Sequence, residues 1–279
     1  MDNIGTHLKL RRKFMSMTQS QLANRSAVSQ ASISRLENGD VTMAVSQFFS
    51  LLNTLCLDMN NVFPMILKSD ITEITDSLDS ARNNNDAALI EKIISSHSTQ
   101  FWCQSPELHI YHLWHAAILS HSRGNKKDAV QKIERINMQY QNEPSCFLLL
   151  SQVLNNLGDM HTDLTTKLHA YNKAKAMYLT STKSNYRIYI NILINLSYTY
   201  GEKDNYKQLL RHVHIAYTVL REQESTYRMT ELTILECNAY LSQNKYEACL
   251  DRFTSARSLF EHANQLEMWE IHKKIFSGE

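Results

Sequence analysis

Residue types repeat every 40 positions along the second half of the chain, and this repeat limits the possible folds more than any other feature. Tyr200 and Tyr240 are 40 residues apart, and each precedes a short polar stretch and a second tyrosine, Tyr206 or Tyr246. A repeat of this length is typical of a helix pair, which buries its apolar face against neighbouring pairs. The same spacing relates Met160 to Tyr200, and it relates two further sets, Leu157, Ser197 and Cys237, and Ala176, Ala216 and Ala256.

The scarcity of chain-breaking residues favours an all-α fold. The 279 residues include only 6 Gly and 3 Pro, which is too few for many short strands joined by tight turns. Gly124-Asn125 and Gly158-Asp159 are predicted to mark turns in two earlier repeats. Residues 68–279 resemble a degenerate tetratricopeptide array. The resemblance implies a right-handed superhelix of helix pairs, whose concave face binds extended peptides or partner proteins.

Residues 1–67 predict a separate domain of five short helices. Thr18 begins the second helix with Gln21 three residues on, which is a capping-box arrangement. A four-residue turn then leads to a third helix that ends at Asn38-Gly39. The other helices are predicted at Ile4 to Met15, from Thr42 onward, and at Asn60 to Met65, and the interlocking core residues are Leu22, Ala23, Val28, Ile33 and Leu36.

Charge is unevenly distributed, and the N-terminal end is basic. Residues 1–36 contain six Lys and Arg side chains against Asp2 alone, although the whole chain has a net charge of only +1. The third helix presents small or polar residues outward. A basic domain with a polar helix face favours a polyanionic partner, and two helices joined by a tight turn can place such a face in the major groove of DNA.

Residues 18–23 and 28–39 closely resemble the helix-turn-helix of phage-repressor-like regulators, the XRE type. The resemblance implies that Gln19 contacts a phosphate, and that Glu37 is structural and pairs with Arg12. Ala27 stands where these proteins often have Gly, and a left-handed Ala costs about 1 kcal/mol. The predicted DNA-contacting set is Arg12, Gln19, Ser29, Gln30, Ala31, Ser32, Ser34 and Arg35.

Asparagines in the repeats suggest a ligand site. Asn155 and Asn195 are 40 residues apart, Asn191 lies one turn before Asn195, and Tyr198 and Asn238 lie nearby. An Asn side chain offers a donor and an acceptor together, so a row of them can bind a peptide backbone. The alternative is that these residues cap turns or face solvent.

The two halves together resemble the Rgg/MutR group of Gram-positive regulators, and Thr42 to Leu52 with Val62-Phe63 resemble the end of that group's DNA-binding domain. The resemblance implies a homodimer that responds to a short re-imported peptide, as in quorum sensing. It implies pocket residues Asn155, Asn195 and Tyr227, with Arg82 binding a peptide carboxylate. Dimerisation is predicted through the C-terminal helices around Leu259, Phe260 and Trp269.

We therefore expect a sequence-specific DNA-binding transcription regulator. Its repeat domain would bind a signalling peptide and control the geometry with which the dimer meets DNA. Two alternatives remain open at this point. A partner protein could occupy the same groove, or the chain could be a constitutive DNA-binding dimer with no ligand.

Other classes of function lack their sequence signals. No P-loop, GxSxG or paired-carboxylate motif appears, so neither an enzyme nor a cofactor is expected. His109, His112 and His115 lack further ligands for a metal, and a pH-sensing role is a second interpretation. The five cysteines form no CxxC pair and are predicted to be reduced thiols. Without an apolar run of about 18 residues or a signal sequence, we expect a cytoplasmic protein without a membrane partner.

Overall fold

The structure, a computed structural model, describes residues 4–40, 43–57, 59–182 and 184–277, with side chains outside residues 59–70 and 277. The described residues form helices and no strand, so the predicted all-α class is confirmed. No helix in these ranges is both long and apolar enough to cross a membrane. The chain divides into two compact units, Met1–Ile93 and Ile94–Glu279.

The first unit begins with the four predicted short helices and continues into a long one. Its core is formed mainly by Leu, Ile and Val side chains, which include four of the five predicted interlocking residues, and the fifth, Ala23, is partly buried and packs against this core. The helices are α1 (Ile4–Phe14), α2 (Gln19–Ser26), α3 (Gln30–Glu37), α4 (Val45–Thr54), α5 (Met59–Asn83) and α6 (Ala87–Ser95), the last of which extends past the division at Ile93.

The predicted fifth helix is wrong in length. Asn60 to Met65 is only the beginning of α5, which continues to Asn83. The predicted domain boundary between residues 67 and 68 falls inside this helix and stays a prediction. The predicted start of α4 at Thr42 lies outside the described residues, and α4 itself begins at Val45.

The second unit is built from helix pairs whose two members pack chiefly against each other and then against the next pair. In each pair a turn of three residues separates the two helices. The pairs are α8 (Pro106–Ser122) with α9 (Lys126–Tyr140), α10 (Phe147–Met160) with α11 (Leu164–Thr180), α12 (Tyr186–Glu202) with α13 (Tyr206–Glu222), and α14 (Met229–Ser242) with α15 (Tyr246–Ser255), preceded by α7 (Thr99–Trp102) and followed by α16 (Arg257–His262) and α17 (Leu266–Ser277).

The predicted helix pairs are confirmed, and one predicted turn is wrong. Tyr206 and Tyr246 open the second helices, as the tyrosine spacing predicts. Gly124 lies in a turn with φ of 82°. Gly158-Asp159, however, lies within the last turn of α10. Gly158 is required there by a close approach, because a Cβ atom at this position would lie 2.2 Å from the ring of Tyr171.

The small-residue register is right in two repeats and wrong in the first. Ala216 and Ala256 are almost completely buried, whereas Ala176 is exposed. The buried small residue of α11 is Ala174, because α11 begins two residues earlier than the 40-residue spacing predicts. The 40-residue spacing therefore holds between the second helices α13 and α15 and fails between the second helices α11 and α13.

Candidate nucleic-acid interface and ligand cleft

The α2–turn–α3 unit is fixed by its own capping groups. The Thr18 hydroxyl accepts from the backbone N–H of Gln21, and the Gln21 side chain accepts from the backbone N–H of Thr18, so the predicted capping box is confirmed. Ala27 ends α2 in the left-handed conformation with φ of 54°. Ser29 then caps α3 by accepting from the backbone N–H of Ser32 at 3.1 Å. These contacts set the angle between the two helices.

Helix α3 has one buried and one exposed face. Ile33 and Leu36 are each 1% exposed and anchor the helix in the core. Gln30, Ala31 and Arg35 are exposed. Of the rest of the predicted contact set, Ser29 is exposed as well, while Ser32, Ser34 and Gln19 are half-buried.

The exposed face of α3 is partly ordered by neighbouring polar groups. The Ser20 hydroxyl donates to the Gln30 side-chain carbonyl at 3.1 Å, which leaves the Gln30 amide group directed away from Ser20. The hydroxyls of Ser29 and Ser32 lie 2.8 Å apart and share a hydrogen bond. Helix α3 thus exposes a carboxamide, Gln30, and a guanidinium, Arg35, which are the groups that read adenine and guanine edges.

Arg12 has a structural role rather than the DNA contact assigned to it above. It is 7% exposed, and its guanidinium forms a bidentate pair with Glu37, with N–O distances of 2.6 and 2.8 Å, and donates to the Met17 carbonyl. The predicted pairing with Glu37 is present. A guanidinium held in this way is not available to a phosphate.

Gln19 joins the same buried network at the start of α2. Its side-chain amide donates to Glu37 at 2.9 Å. Burial alone would raise the pKa of Glu37, but the hydrogen bonds from Arg12 and Gln19 outweigh it and hold the pKa below its usual value. Glu37 is therefore an anion that ties α1, α2 and α3 together.

In the second unit, the predicted asparagines of neighbouring pairs lie in contact. The Asn195 amide donates to the Asn155 carbonyl at 3.2 Å, so residues that are 40 positions apart meet across α10 and α12. We call Asn155, Asn191 and Asn195 the asparagine strip. Its members are half-buried, so solvent reaches their polar groups.

Asn191 connects the strip to the start of α14. Its carbonyl accepts from the Tyr227 hydroxyl at 3.1 Å and from the Arg228 guanidinium at 2.8 Å. Because a guanidinium can only donate, this contact fixes which end of the Asn191 amide faces it. Arg228 also holds Glu231 in a bidentate pair.

A cleft of about 820 Å³ lies beside Arg228 and Glu231. Tyr198, a predicted ligand residue, is on its wall, where burial and the nearby Glu231 raise the pKa of its hydroxyl to about 12. The opposite wall comes from α16 and α17. The lining residues are Tyr198, Thr226, Arg228, Thr230, Glu231, Ile234, Ser258, Leu259, His262, Ala263, Gln265, Met268 and His272.

Of the seven predicted ligand residues, only Tyr198 lines this cleft. Asn238 is exposed on α14 but does not line the cleft. Arg82 belongs to the first unit, where it pairs with Asp79 on its own helix at 2.7 Å. Arg82 does not line the cleft, and its assignment to a peptide carboxylate stays a prediction.

Sequence reasoning missed three charged residues, namely Arg228 and Glu231 at the cleft and Asp159 beside the asparagine strip. Arg228 and Glu231 carried a weak signal, as an i, i+3 pair of opposite charge at a helix start. Asp159 was interpreted as part of a turn. It accepts from the Tyr171 hydroxyl at 2.7 Å and from the Asn195 amide at 3.3 Å.

The three histidines of α8 make separate contacts. His112 stacks on Trp102 with ring centroids 5.1 Å apart, and burial together with His109 lowers its pKa. His109 bonds the Tyr140 hydroxyl at 2.6 Å, and the buried His115 bonds the Tyr111 carbonyl. In the part of the chain that the structure describes, no three His, Cys, Asp or Glu side chains are grouped to hold a metal.

The residues predicted to form the dimer contact are largely internal. Phe260 is fully buried, Trp269 is 5% exposed, and both pack on Phe253 within one C-terminal core. The apolar residues that α17 does expose are Ile271 and Ile275, at 54% and 59%, together with Leu266 and Met268 at its start.

Comparison with solved structures shows which known proteins have this fold. No protein-family model matches the sequence, and no curated protein matches it. Solved structures match over nearly the whole chain. Apo PlcR from Bacillus thuringiensis aligns with a TM-score of 0.62 at 13% identity, covering 99% of this chain and 98% of PlcR.

Two further structures give the same result. PlcR in complex with the peptide PapR7 and DNA aligns with a TM-score of 0.58 at 14% identity over 100% of both chains. A cysteine-to-serine variant of Rgg2, an SHP pheromone receptor from Streptococcus dysgalactiae, aligns with a TM-score of 0.54 at 14% identity, covering 97% of this chain and 98% of Rgg2. The chain therefore has the full-length fold of the PlcR- and Rgg-type regulators, as its sequence resemblance implied.

Proposed function

We propose that this chain is a sequence-specific, homodimeric transcription regulator that binds duplex DNA through α3 and a short peptide through its second unit. The observation that carries the proposal is the exposed face of α3. Gln30 and Arg35 are presented to solvent while the acid nearest to them along the helix, Glu37, is neutralised internally by Arg12. A helix of this kind meets base edges without a facing negative charge.

The shared fold supports both partners of the proposal. PlcR, which has this fold, has been crystallised with a peptide and DNA together. At 14% identity, the similarity to PlcR extends to the fold alone. The ligands proposed for this chain therefore rest on its own residues. A role in transcription would place the protein in the cytoplasm and makes catalysis unnecessary.

The asparagine strip supports a peptide as the controlling ligand. The carbonyls of Asn155 and Asn191 are engaged by Asn195 and by Arg228, and neither amide donates to another described side chain. Two such amide groups can donate to peptide carbonyls whatever the peptide's side chains. The adjoining cleft has a volume in the range usual for small ligands.

DNA binding is tested by selection from a pool of random duplexes at low salt. We expect enrichment of a motif with two half-sites about 34 Å apart, since two copies of α3 would contact one face of the duplex. Affinity for the enriched duplex should fall steeply with salt because phosphate contacts release counterions. An unenriched pool, or affinity independent of salt, would count against DNA as the partner.

Peptide control is tested by thermal unfolding with short-peptide libraries. A bound peptide stabilises the folded state and raises Tm, whereas a regulator controlled only by a partner protein would not respond. Asn195→Ala should reduce the rise. A constitutive DNA-binding dimer would show neither effect.

A further inference from the structure

One carboxylate beside the asparagine strip, that of Asp159, forms no ion pair with a described residue. Asp159 lies on the last turn of α10, next to Asn155 and Asn195 of the asparagine strip. Asp159 is exposed to solvent as a residue, and neighbouring protein atoms remove part of the hydration of its carboxylate. Among the described residues, no Lys, Arg or His forms an ion pair with it.

The cations nearest to Asp159 are already occupied. Lys167 lies 3.9 Å from Glu202, and Arg228 is held by Glu231 in a bidentate pair. Arg228 and Glu231 neutralise each other at the cleft, so Asp159 is left without an ion pair and is stabilised by Lys167 and Arg228 only from a distance.

The surroundings hold Asp159 in a fixed orientation. The Tyr171 hydroxyl donates to Oδ1 at 2.7 Å, and Asn195 donates to the same oxygen at 3.3 Å. The contact with Asn156 on Oδ2 is long, at 3.4 Å, so this oxygen is the less satisfied of the two. Tyr171 reaches Asp159 only because the preceding residue is Gly158, where any side chain would meet the tyrosine ring.

Such a carboxylate is better suited to a cationic ligand than to water alone. Desolvation raises the pKa of Asp159 in spite of its hydrogen bonds, which means that the anion is less stable here than in water. A positive ligand group would remove this penalty and form a charge-assisted hydrogen bond with Oδ2. The neutral Tyr171 stays a donor, because burial and Asp159 raise the pKa of its hydroxyl far above the usual value.

We propose that Asp159 is a specificity-determining residue that binds an ammonium or guanidinium group of the peptide ligand. The inference rests on the peptide-binding function proposed above and adds the chemistry of the peptide. The group is either the free N-terminus or a Lys or Arg side chain. Both groups are cationic hydrogen-bond donors, and the experiment below distinguishes the N-terminus from a side chain.

The test is affinity selection on the full-length protein with three heptapeptide libraries. The first has a free N-terminus and no Lys or Arg, the second is the same library N-acetylated, and the third is N-acetylated with one Lys at a varied position. We expect the wild type to enrich the first or the third library over the second. Enrichment of the first identifies the N-terminus, and enrichment of the third identifies a side chain.

Variants then assign the preference to Asp159. Asp159→Asn keeps a carbonyl acceptor for Tyr171 and removes the charge, and we expect the selected peptides to lose at least 10-fold in affinity. Asp163→Asn removes a carboxylate from the next turn, where Asn can still cap α11, and should leave affinity unchanged. Circular dichroism and thermal unfolding of both variants establish that the fold is retained.

Equal enrichment of all three libraries, or unchanged affinity in Asp159→Asn, would overturn the assignment while leaving peptide binding intact. If the wild type retains no peptide from any library, both this inference and the proposed peptide control are wrong.

Discussion

The Arg12–Glu37 pair is the residue-scale contact on which the DNA-binding unit most depends. Glu37→Gln would leave the Arg12 guanidinium buried without its counter-ion, and loss of one partner of a buried pair costs about 3 kcal/mol or more. We expect a reduction of that order in the free energy of unfolding of the first unit, measured by urea denaturation. Replacing both residues, as Arg12→Met with Glu37→Leu, should restore part of the loss.

The same pair predicts an acid-sensitive stability. Folding lowers the pKa of Glu37, so its contribution is complete above the pKa of the unfolded carboxyl, about 4.3, and is lost as pH falls through the lower pKa of the folded state. The free energy of unfolding of the wild type should therefore fall as the pH drops below about 4.3. In Glu37→Gln this part of the acid-induced loss of unfolding free energy should be absent. An equal loss at acid pH in wild type and variant would contradict the role given to Glu37.

The left-handed conformation of Ala27 leads us to expect that replacing it with Gly stabilises the first unit. Ala27 holds φ at 54°, a conformation that costs about 1 kcal/mol for Ala and little for Gly. Ala27→Gly should raise the free energy of unfolding by up to about 1 kcal/mol, since the greater freedom of the unfolded Gly chain offsets part of the relief. Asn264→Gly, at φ of 56°, is the matched control and should gain less, because Asn tolerates this region.

At the scale of elements, the Gly158–Tyr171 contact determines how α10 and α11 pack. Gly158→Ala would place a methyl group 2.2 Å from the Tyr171 ring, and overpacking of this kind costs about 1–3 kcal/mol. We expect a lower Tm and weaker peptide binding, because Tyr171 orients Asp159. Gly201→Ala is the control. Its nearest neighbour would be the flexible end of Leu209 at 3.1 Å, so a near-neutral change is expected.

Elements whose signals are local were predictable from the sequence. The capping box at Thr18, the turn at Ala27 and the tyrosines that open α13 and α15 all depend on residues within one or two turns. Gly158 was misinterpreted because its reason is the ring of Tyr171, which is a tertiary contact. A glycine that permits close packing and a glycine that ends a helix look the same in a single sequence.

The candidate sites were predictable in residue type but not in partner. The 40-residue spacing placed Asn155 beside Asn195 correctly, as their hydrogen bond confirms. It could not reveal the surroundings of Asp159, because Tyr171 and Asn195 reach this carboxylate from α11 and α12, and such contacts depend on how separate helices pack. Burial likewise separates Arg12 from the other basic residues of the first unit, and charge counts do not record burial.

For the whole molecule, the proposed dimer requires an exposed apolar surface, and the aromatic residues of the C-terminus are not that surface. Phe260 and Trp269 pack inside the second unit. Their prediction as interface residues was wrong because aromatic composition alone does not distinguish a core from an interface. We propose α17 as the contact, because it exposes Ile271 and Ile275 one turn apart while its Met268 lines the cleft. A ligand in the cleft would then touch the helix that carries the dimer contact.

The double variant Ile271→Glu with Ile275→Glu should shift the protein to monomer in sedimentation velocity. Placing two carboxylates in an apolar contact leaves them desolvated and unpaired. Binding to a duplex with two half-sites should weaken, and binding to one half-site should not. Glu270→Lys, a charge change at the neighbouring position of α17, is the control. If the double variant remains dimeric, α17 is not the dimer contact.

The central claim, that α3 reads the bases of duplex DNA, is tested most directly by comparing the motifs selected by wild type and Arg35→Ala from one random-duplex pool. We predict that Arg35→Ala loses the base preference at one position of each half-site, with an affinity loss of about 1–3 kcal/mol per contact, while its helical content is unchanged. Arg221→Ala, which removes the same exposed side chain from α13, should select the wild-type motif. An identical motif and affinity for wild type and Arg35→Ala would contradict the account.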